Sequence, residues 1–174
     1  MTILILTVVQ LISMSIQFVH SAEQNNGNST IFQHDSLLSI DSAQLIKLTK
    51  NGKSELTLLN FWATWCDPCV EEFPDLVTLT KTYETNDLRV LFVSADFERN
   101  LPSVRDFLVK QNFNFVSYYK KEKDNIFVNA MNPEWSGALP ATFIYDKAGN
   151  MLDFWIGKKT LKELEAIINK HLMQ

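Results

Sequence analysis

The stretch WATWCDPCVEEFP, residues 62–74, contains both cysteines of this 174-residue chain. Cys66 and Cys69 are separated by an aspartate and a proline, in the spacing CxxC. An apolar run of strand length, ELTLLNFWAT, precedes them, and a segment with helical periodicity, PCVEEFPDLVTLTKTYE, follows. The two cysteines are therefore predicted to lie where a buried strand ends and a helix begins.

This position suits thiol chemistry, because the start of a helix favours a negative charge. Cys66 is predicted at the helix N-cap, with Pro68 opening the helix and Cys69 in its first turn. The free backbone N–H groups and the helix dipole stabilise a thiolate at Cys66, which makes Cys66 the expected nucleophile. Cys69 lies behind it and is placed to resolve a mixed disulfide. The spacing therefore predicts dithiol–disulfide exchange.

Zinc binding and a structural staple are the other common uses of paired cysteines, and the sequence disfavours both. A structural zinc site takes about four ligands, usually Cys or His. None of the three histidines, His20, His34 and His171, has ligand spacing to the CxxC. A disulfide that closes so short a loop removes little chain entropy and is a poor staple. We expect neither a metal nor another cofactor.

Length and composition indicate one globular domain. Hydrophobic residues make up 46% of the chain and charged residues 21%, with a formal net charge of −4. These values are ordinary for a folded soluble domain, and the length suits a single core. No basic patch stands clear of acidic residues, so we expect no nucleic-acid partner. A monomer is expected.

The first 22 residues differ from the rest, because they contain no Lys, Arg, Asp or Glu. Residues 3–12 form an apolar run about as long as a signal-peptide core and shorter than the roughly 20 residues of a membrane span. Ser21 and Ala22 offer a cleavage site, but the usual positive charge before the apolar run is missing. We predict a signal peptide or N-terminal anchor at 1–22, a polar tether at 23–36, a folded domain at 37–174, and export to the periplasm or another extracytoplasmic compartment.

The folded domain is predicted to alternate strands and helices. Helices are expected at residues 40–52, 68–84, 101–112, 123–131 and 161–172. Strands are expected at residues 55–64, 88–96 and 113–119, and two more within 140–157, around a turn at Gly149 and Asn150. Asp41 and Gln44 have the spacing of a capping box. Such alternation is typical of an α/β fold with a central sheet covered on both faces.

Two motifs together resemble the thioredoxin superfamily: NFWATWCDPCVEEFP and, further on, ALPATFIYDKAGN. Within it, the chain is similar to the exported TlpA-like and ResA-like thiol–disulfide reductases, over about residues 37–172. The resemblance implies a thioredoxin-like fold, with a central mixed β-sheet flanked by helices on both faces. It also implies protein disulfides as substrates.

The resemblance further implies roles for residues near the substrate. Pro140 matches the cis-proline that faces the active-site disulfide, and the backbone at Leu139 would pair with an extended substrate segment. Trp65 and Trp62 match the family's aromatic frame, with Trp65 expected to contact substrate. Without the CxxC motif, Pro140 would be interpreted as an ordinary proline at a strand start.

Proton transfer is the role that the resemblance implies for Glu72. Related proteins carry a glutamate at this position, which is three residues after Cys69 and on the same helix face. Ordinary thioredoxins instead use a buried aspartate where this chain has Asn60, and an amide cannot accept the proton. The alternative is that Glu72, like Glu71, is a first-turn acid that favours the helix dipole.

The direction of electron flow is predicted from Asp67, whose negative charge beside Cys66 opposes the thiolate and favours a reductant. A reductant in an oxidising compartment must be recharged, which implies a membrane-bound electron donor. A disulfide oxidase, a non-catalytic thioredoxin-like binding protein and a metal-delivery protein remain alternatives. A related peroxidase would use Thr-x-x-Cys, which CDPCVEE lacks.

Overall fold

The computed structural model of the protein describes residues 37–50, 52–83 and 87–173. The predicted signal or anchor segment and the polar tether lie outside the described residues. The elements, in chain order, are β1 Leu37–Ile40, α1 Ser42–Lys50, β2 Leu56–Trp62, α2 Asp67–Thr82, β3 Leu88–Ser94, a short 3₁₀ turn at Glu98–Asn100, α3 Leu101–Lys110, β4 Ser117–Lys120, α4 Asp124–Met131, β5 Ala141–Asp146, β6 Met151–Ile156 and α5 Leu161–Leu172.

The six strands form one mixed sheet in the order β1-β4-β3-β2-β5-β6. Strands β1, β4, β3 and β2 pair in parallel with one another in that order. Strand β5 pairs antiparallel with β2, and β6 pairs antiparallel with β5. All seven residues of β2 are buried, as expected for an apolar strand with helices on both faces. The α/β fold with a central mixed sheet is therefore confirmed.

Two hydrophobic cores lie on opposite faces of the sheet. Helices α2, α3 and α5 contribute to the first core, where the ring of Phe73 lies 4.8 Å from that of Trp62 and 5.0 Å from that of Phe92. Helices α1 and α4 contribute to the second core through Leu45 and Phe127. The alternation of inward and outward side chains along each strand divides the apolar residues between these two faces.

The start of α1 confirms the predicted capping box. The Gln44 backbone N–H donates to Asp41 Oδ1 at 2.8 Å, and the Asp41 N–H donates to Gln44 Oε1 at 3.1 Å. These two bonds satisfy backbone donors that a helix start otherwise leaves unpaired. None of the helices in the described ranges is both long and apolar enough to cross a membrane.

The structure corrects the prediction at two strands. Strand β1 was not predicted, and it forms because Leu37–Ile40 pairs in parallel with β4. The strand predicted at 113–119 is instead β4, Ser117–Lys120. Phe113 closes the end of α3, since its N–H donates to the Leu108 carbonyl, and its ring packs 4.9 Å from that of Phe92. Residues 113–116 therefore connect α3 to the sheet.

Candidate active site

The candidate site lies at the carboxyl end of the parallel strands β2 and β3. Trp62 and Ser94 are paired in register at the ends of these strands. The Ala95 N–H donates to the Trp62 carbonyl at 2.7 Å, so the segments that follow β2 and β3 leave the sheet side by side. Loops at the carboxyl ends of parallel strands are the usual place for binding and catalytic groups in α/β folds.

Cys66 occupies the N-cap of α2, and a disulfide joins it to Cys69 in the first turn. The Cys66 carbonyl accepts the N–H groups of Cys69 and Val70, both at 3.0 Å. Cys66 is 6% exposed and Cys69 only 1% exposed. The predicted positions of both cysteines at the start of the helix are thus confirmed, and Cys66 is the more exposed of the two.

Glu72 lies one turn further along α2 and is buried, with 2% of its surface exposed. Its Oε1 accepts the Lys159 backbone N–H at 2.8 Å, and its Oε2 accepts Asn60 Nδ2 at 3.3 Å. Burial raises the pKa of the Glu72 carboxyl above its ordinary value of 4.5, and these two hydrogen bonds only partly oppose that effect. The site therefore holds a buried acid with a raised pKa, three residues after the buried Cys69 on the same helix.

Asn60 connects Glu72 to the sheet. The side chain of Asn60 is fully buried, and its Nδ2 donates both to Glu72 Oε2 and to Thr142 Oγ1, the latter at 3.0 Å. Its Oδ1 has no hydrogen-bond partner among the described residues. Asn60 cannot itself take up a proton, but it can fix the position of a carboxylate that does.

Glu71 provides a natural contrast to Glu72. Its side chain is 60% exposed and pairs with Lys158 at the surface. One residue along a helix turns the side chain by about 100°, which is enough to separate a buried acid from a solvated one. Of the two adjacent glutamates, only Glu72 is buried.

The segment before β5 lies at the edge of the same site. The Leu139–Pro140 peptide bond is cis, as predicted. Neither backbone group of Leu139 is hydrogen-bonded within the part of the chain that the structure describes. Trp65 is 59% exposed, whereas Trp62 is fully buried in the core. Leu139 therefore has unpaired backbone groups, and Trp65 exposes an apolar ring to solvent.

Asp96 is a site residue that the sequence did not reveal. This carboxylate is 1% exposed and lies just beyond the end of β3. Its Oδ2 accepts the Thr64 N–H and the Ser94 hydroxyl, each at 2.9 Å, and its Oδ1 accepts the Thr64 hydroxyl at 2.6 Å. Asp96 thus fixes the loop that leads to Trp65 and Cys66. An acid at the end of a buried strand was the only local signal.

The described residues contain no group of three or more His, Cys, Asp or Glu side chains that could hold a metal ion. The geometry consists instead of a cysteine pair at a helix start, a buried acid one turn later, and an exposed backbone segment nearby. The sequence model of the AhpC/TSA family matches residues 35–153 of this chain. The chain belongs to the AhpC/TSA family.

Curated relatives carry names from thiol chemistry. The chain is 34% identical over 117 residues to the thioredoxin-like protein YneN of Bacillus subtilis (strain 168), covering 67% of this chain and 65% of that protein. It is 30% identical over 121 residues to the thiol-disulfide oxidoreductase ResA of Bacillus thuringiensis (strain Al Hakam), covering 70% of this chain and 66% of that one. The chain thus spans slightly less than two thirds of the length of either relative.

Solved structures show the same fold. A thiol:disulfide interchange protein of the thioredoxin family from Chlorobium tepidum TLS matches with a TM-score of 0.59 at 23% identity, over 72% of this chain and 83% of that one. StoA from Bacillus subtilis matches with a TM-score of 0.54 at 22% identity, over 67% and 83% of the two chains. The fold of this family member is therefore thioredoxin-like.

Replacing Asp96 tests whether its hydrogen bonds hold the Cys66 loop. Asp96→Ala leaves the buried Ser94 hydroxyl and the half-buried Thr64 N–H without their acceptor, so we expect the free energy of unfolding to fall by about 1–3 kcal/mol. Urea unfolding of the oxidised protein measures this loss. Asp106→Ala, at an exposed position of α3, is the matched control and is expected to change stability by no more than about 0.5 kcal/mol. Equal urea midpoints for Asp96→Ala and wild type would contradict the assignment.

Proposed function

We propose that this protein is an exported thiol–disulfide oxidoreductase that reduces disulfides in other proteins. The observation that carries the proposal is the pairing of Cys66 at the N-cap of α2 with the more deeply buried Cys69 in its first turn. A thiolate at a helix N-terminus is stabilised by the helix dipole, which makes the outer cysteine the attacking group. The names of the relatives support the same class of chemistry.

The reaction takes two exchange steps. The Cys66 thiolate attacks one sulfur of the substrate disulfide, the substrate S–S bond breaks, and one substrate thiol leaves. Cys69 then attacks the Cys66 sulfur, which releases the second substrate thiol and forms the Cys66–Cys69 disulfide. The two electrons pass from the protein dithiol to the substrate. A second dithiol must return them, and we propose a membrane-bound donor.

Glu72 is proposed to accept the proton of the Cys69 thiol in the second step. The two residues are three apart on α2, where side chains are neighbours on one helix face, and both are buried. The raised pKa of Glu72 makes it a stronger base than an ordinary glutamate. Asn60 supports this role by binding Glu72 Oε2.

Leu139, Pro140 and Trp65 are proposed to hold the substrate. The unpaired backbone of Leu139 can add an extended segment by main-chain hydrogen bonds, as in other cases of strand addition. The exposed ring of Trp65 offers an apolar contact beside Cys66. Substrate is thereby held in an extended form with its reacting sulfur near the cysteine pair.

Trapping of intermediates tests the assignment of the two cysteines. A Cys69→Ser variant cannot complete the second step, so it should accumulate mixed disulfides with oxidised protein substrates, whereas Cys66→Ser should accumulate none. Non-reducing electrophoresis followed by mass spectrometry identifies the linked cysteine. Mixed disulfides on Cys69 in the Cys66→Ser variant, at the level seen for Cys69→Ser, would overturn the assignment.

The direction of electron flow is tested separately, by equilibrating the wild-type dithiol with a redox buffer of known potential to measure its reduction potential. A reductase should lie nearer the roughly −270 mV of thioredoxin than the roughly −120 mV of strongly oxidising relatives. Asp67 in the first turn of α2 is the reason we expect the lower value, because its charge opposes the Cys66 thiolate. A reduction potential near the roughly −120 mV of the strongly oxidising proteins would instead indicate a disulfide oxidase.

Glu72→Gln tests the proton acceptor, with Glu71→Gln as the matched control. The acceptor must be ionised, so the wild-type rate of the second step should rise with pH as Glu72 loses its proton, at a higher pH than an ordinary glutamate because its pKa is raised by burial. Glu72→Gln should lack this rise and be slowed about 100-fold near neutral pH, the lower limit for a positioned general base. Stopped-flow kinetics of disulfide exchange from pH 4 to 8 measures this rate for each protein. Identical dependence of the rate on pH for wild type, Glu72→Gln and Glu71→Gln would exclude Glu72 as the proton acceptor.

Export is proposed from residues 1–22, whose apolar, charge-free sequence suits a signal peptide or an uncleaved anchor. The protein is proposed to act outside the cytoplasm as a monomer, with residues 23–36 as a tether to the domain. Fractionation of the native host followed by N-terminal sequencing checks this. We expect the chain outside the cytoplasm, either cleaved after Ala22 or intact in the membrane. Intact chain in the cytosol would contradict export.

A further inference from the structure

A cavity of about 420 Å³ lies beside the candidate active site. Trp65 and Leu139, two residues of that site, line it together with Phe97, which follows β3. Phe97 is 51% exposed and Trp65 is 59% exposed, so the cavity exposes two aromatic rings to solvent. Its volume is within the roughly 300–1,000 Å³ range of small ligand pockets.

The lining of the cavity includes a buried aromatic cluster. The ring of Phe61 stacks on that of Trp135 with centroids 4.7 Å apart and meets Phe127 edge-on at 5.7 Å. Trp135 Nε1 donates to the Ala138 carbonyl at 2.9 Å, so the indole has no polar group left to satisfy. These packed rings form a preformed apolar wall, which loses little conformational entropy when something binds.

The residues that line the cavity carry no net charge. Of the residues that line it, only Lys120 and Asp124 are ionisable, and they form an ion pair with each other. Asn125, Asn129 and Ser136 supply uncharged polar groups. A charged side chain would lose its hydration in this cavity without meeting a free opposite charge, whereas an uncharged apolar group would not. Complementarity therefore favours a neutral, apolar occupant.

We propose that this cavity binds an aromatic side chain of the substrate polypeptide, one or two residues from the reacting cysteine. The inference rests on the proposed function, and it names the substrate class. Leu139 belongs both to the proposed docking backbone and to the cavity lining, so a segment paired with Leu139 passes the cavity. An extended chain advances about 3.3 Å per residue, which keeps the occupant close to the reacting sulfur. The aromatic lining favours a ring over an aliphatic chain.

Two synthetic peptides test the proposal. They are identical except for Phe or Gly next to a single cysteine, which forms a mixed disulfide with thionitrobenzoate. The Cys66 thiolate attacks the peptide sulfur, the coloured thionitrobenzoate thiolate leaves, and Cys69 then releases the peptide thiol. With reduced wild-type protein in excess, stopped-flow absorbance gives the rate for each peptide. We expect the Phe peptide to react about tenfold faster, since apolar pockets discriminate by roughly 10–200-fold.

Variants that fill the cavity identify the source of this preference. Asn129→Trp fills it from α4 and Ser136→Trp fills it from the loop before β5, and each should bring the ratio of the two rates close to one. Ala130→Trp is the matched control, because Ala130 is exposed on the same helix and does not line the cavity. It should keep the wild-type ratio. Circular dichroism confirms that each variant is folded before its ratio is compared.

The outcomes separate the two proposals. Equal rates for the Phe and Gly peptides, with both reduced by the wild-type protein, would overturn the cavity assignment and leave the oxidoreductase function intact. A wild-type ratio in both cavity-filling variants would also overturn it. Release of no thionitrobenzoate from either peptide would overturn the proposed function itself, and the assignment of the cavity with it.

Discussion

The parallel pairing of β2 with β3 positions both loops of the candidate site. It places the ends of the two strands side by side, with the Ala95 N–H bound to the Trp62 carbonyl. The segment after β2 continues to the cysteine pair, and the segment after β3 continues to Asp96. Because β2 is buried along its whole length, its end can hardly shift without disturbing both cores. The start of α2, which carries Cys66, is therefore held in a fixed position as well.

Two buried carboxylates near this point have different surroundings and different consequences. Asp96 accepts three hydrogen bonds from Thr64 and Ser94, so its oxygens are held by fixed donors in the loop it organises. Glu72 accepts one bond from Asn60 and one from the backbone of Lys159, and its pKa is raised by burial. A fully bonded carboxylate suits a structural role, while one that burial brings closer to neutrality suits proton transfer.

The sheet separates the two tasks of the proposed enzyme. Glu72 and Asn60 lie on the face covered by α2, α3 and α5, where the proton of Cys69 would be received. The aromatic cavity lies on the other face, where Phe61 and Phe127 belong to the core beneath α1 and α4. The cysteine pair is at the strand end between them. Changes in substrate preference on one face could therefore occur without altering proton transfer on the other.

Much of the fold and the cysteine pair could be predicted from the sequence, because the signals that indicate them are local. The CxxC spacing, the apolar run before it and the helical period after it placed Cys66 at a helix N-cap. The offset of three residues placed Glu72 on the face of Cys69, and the offset of one residue separated it from Glu71. Such patterns express the geometry of a single strand or helix and need no knowledge of distant residues.

Features that depend on contacts between distant segments could not be predicted in this way. Strand β1 is only four residues long and is defined by its pairing with β4, so no periodicity could reveal it. The Lys159 N–H that binds Glu72 is 87 residues away from it in the chain, and the Asp96 bonds to Thr64 join loops 32 residues apart. The cavity likewise requires Phe61 and Trp135 to meet across the core. Local patterns predict which face of a helix or strand a side chain occupies. Its neighbours from distant parts of the chain are determined only when the strands pair into the sheet.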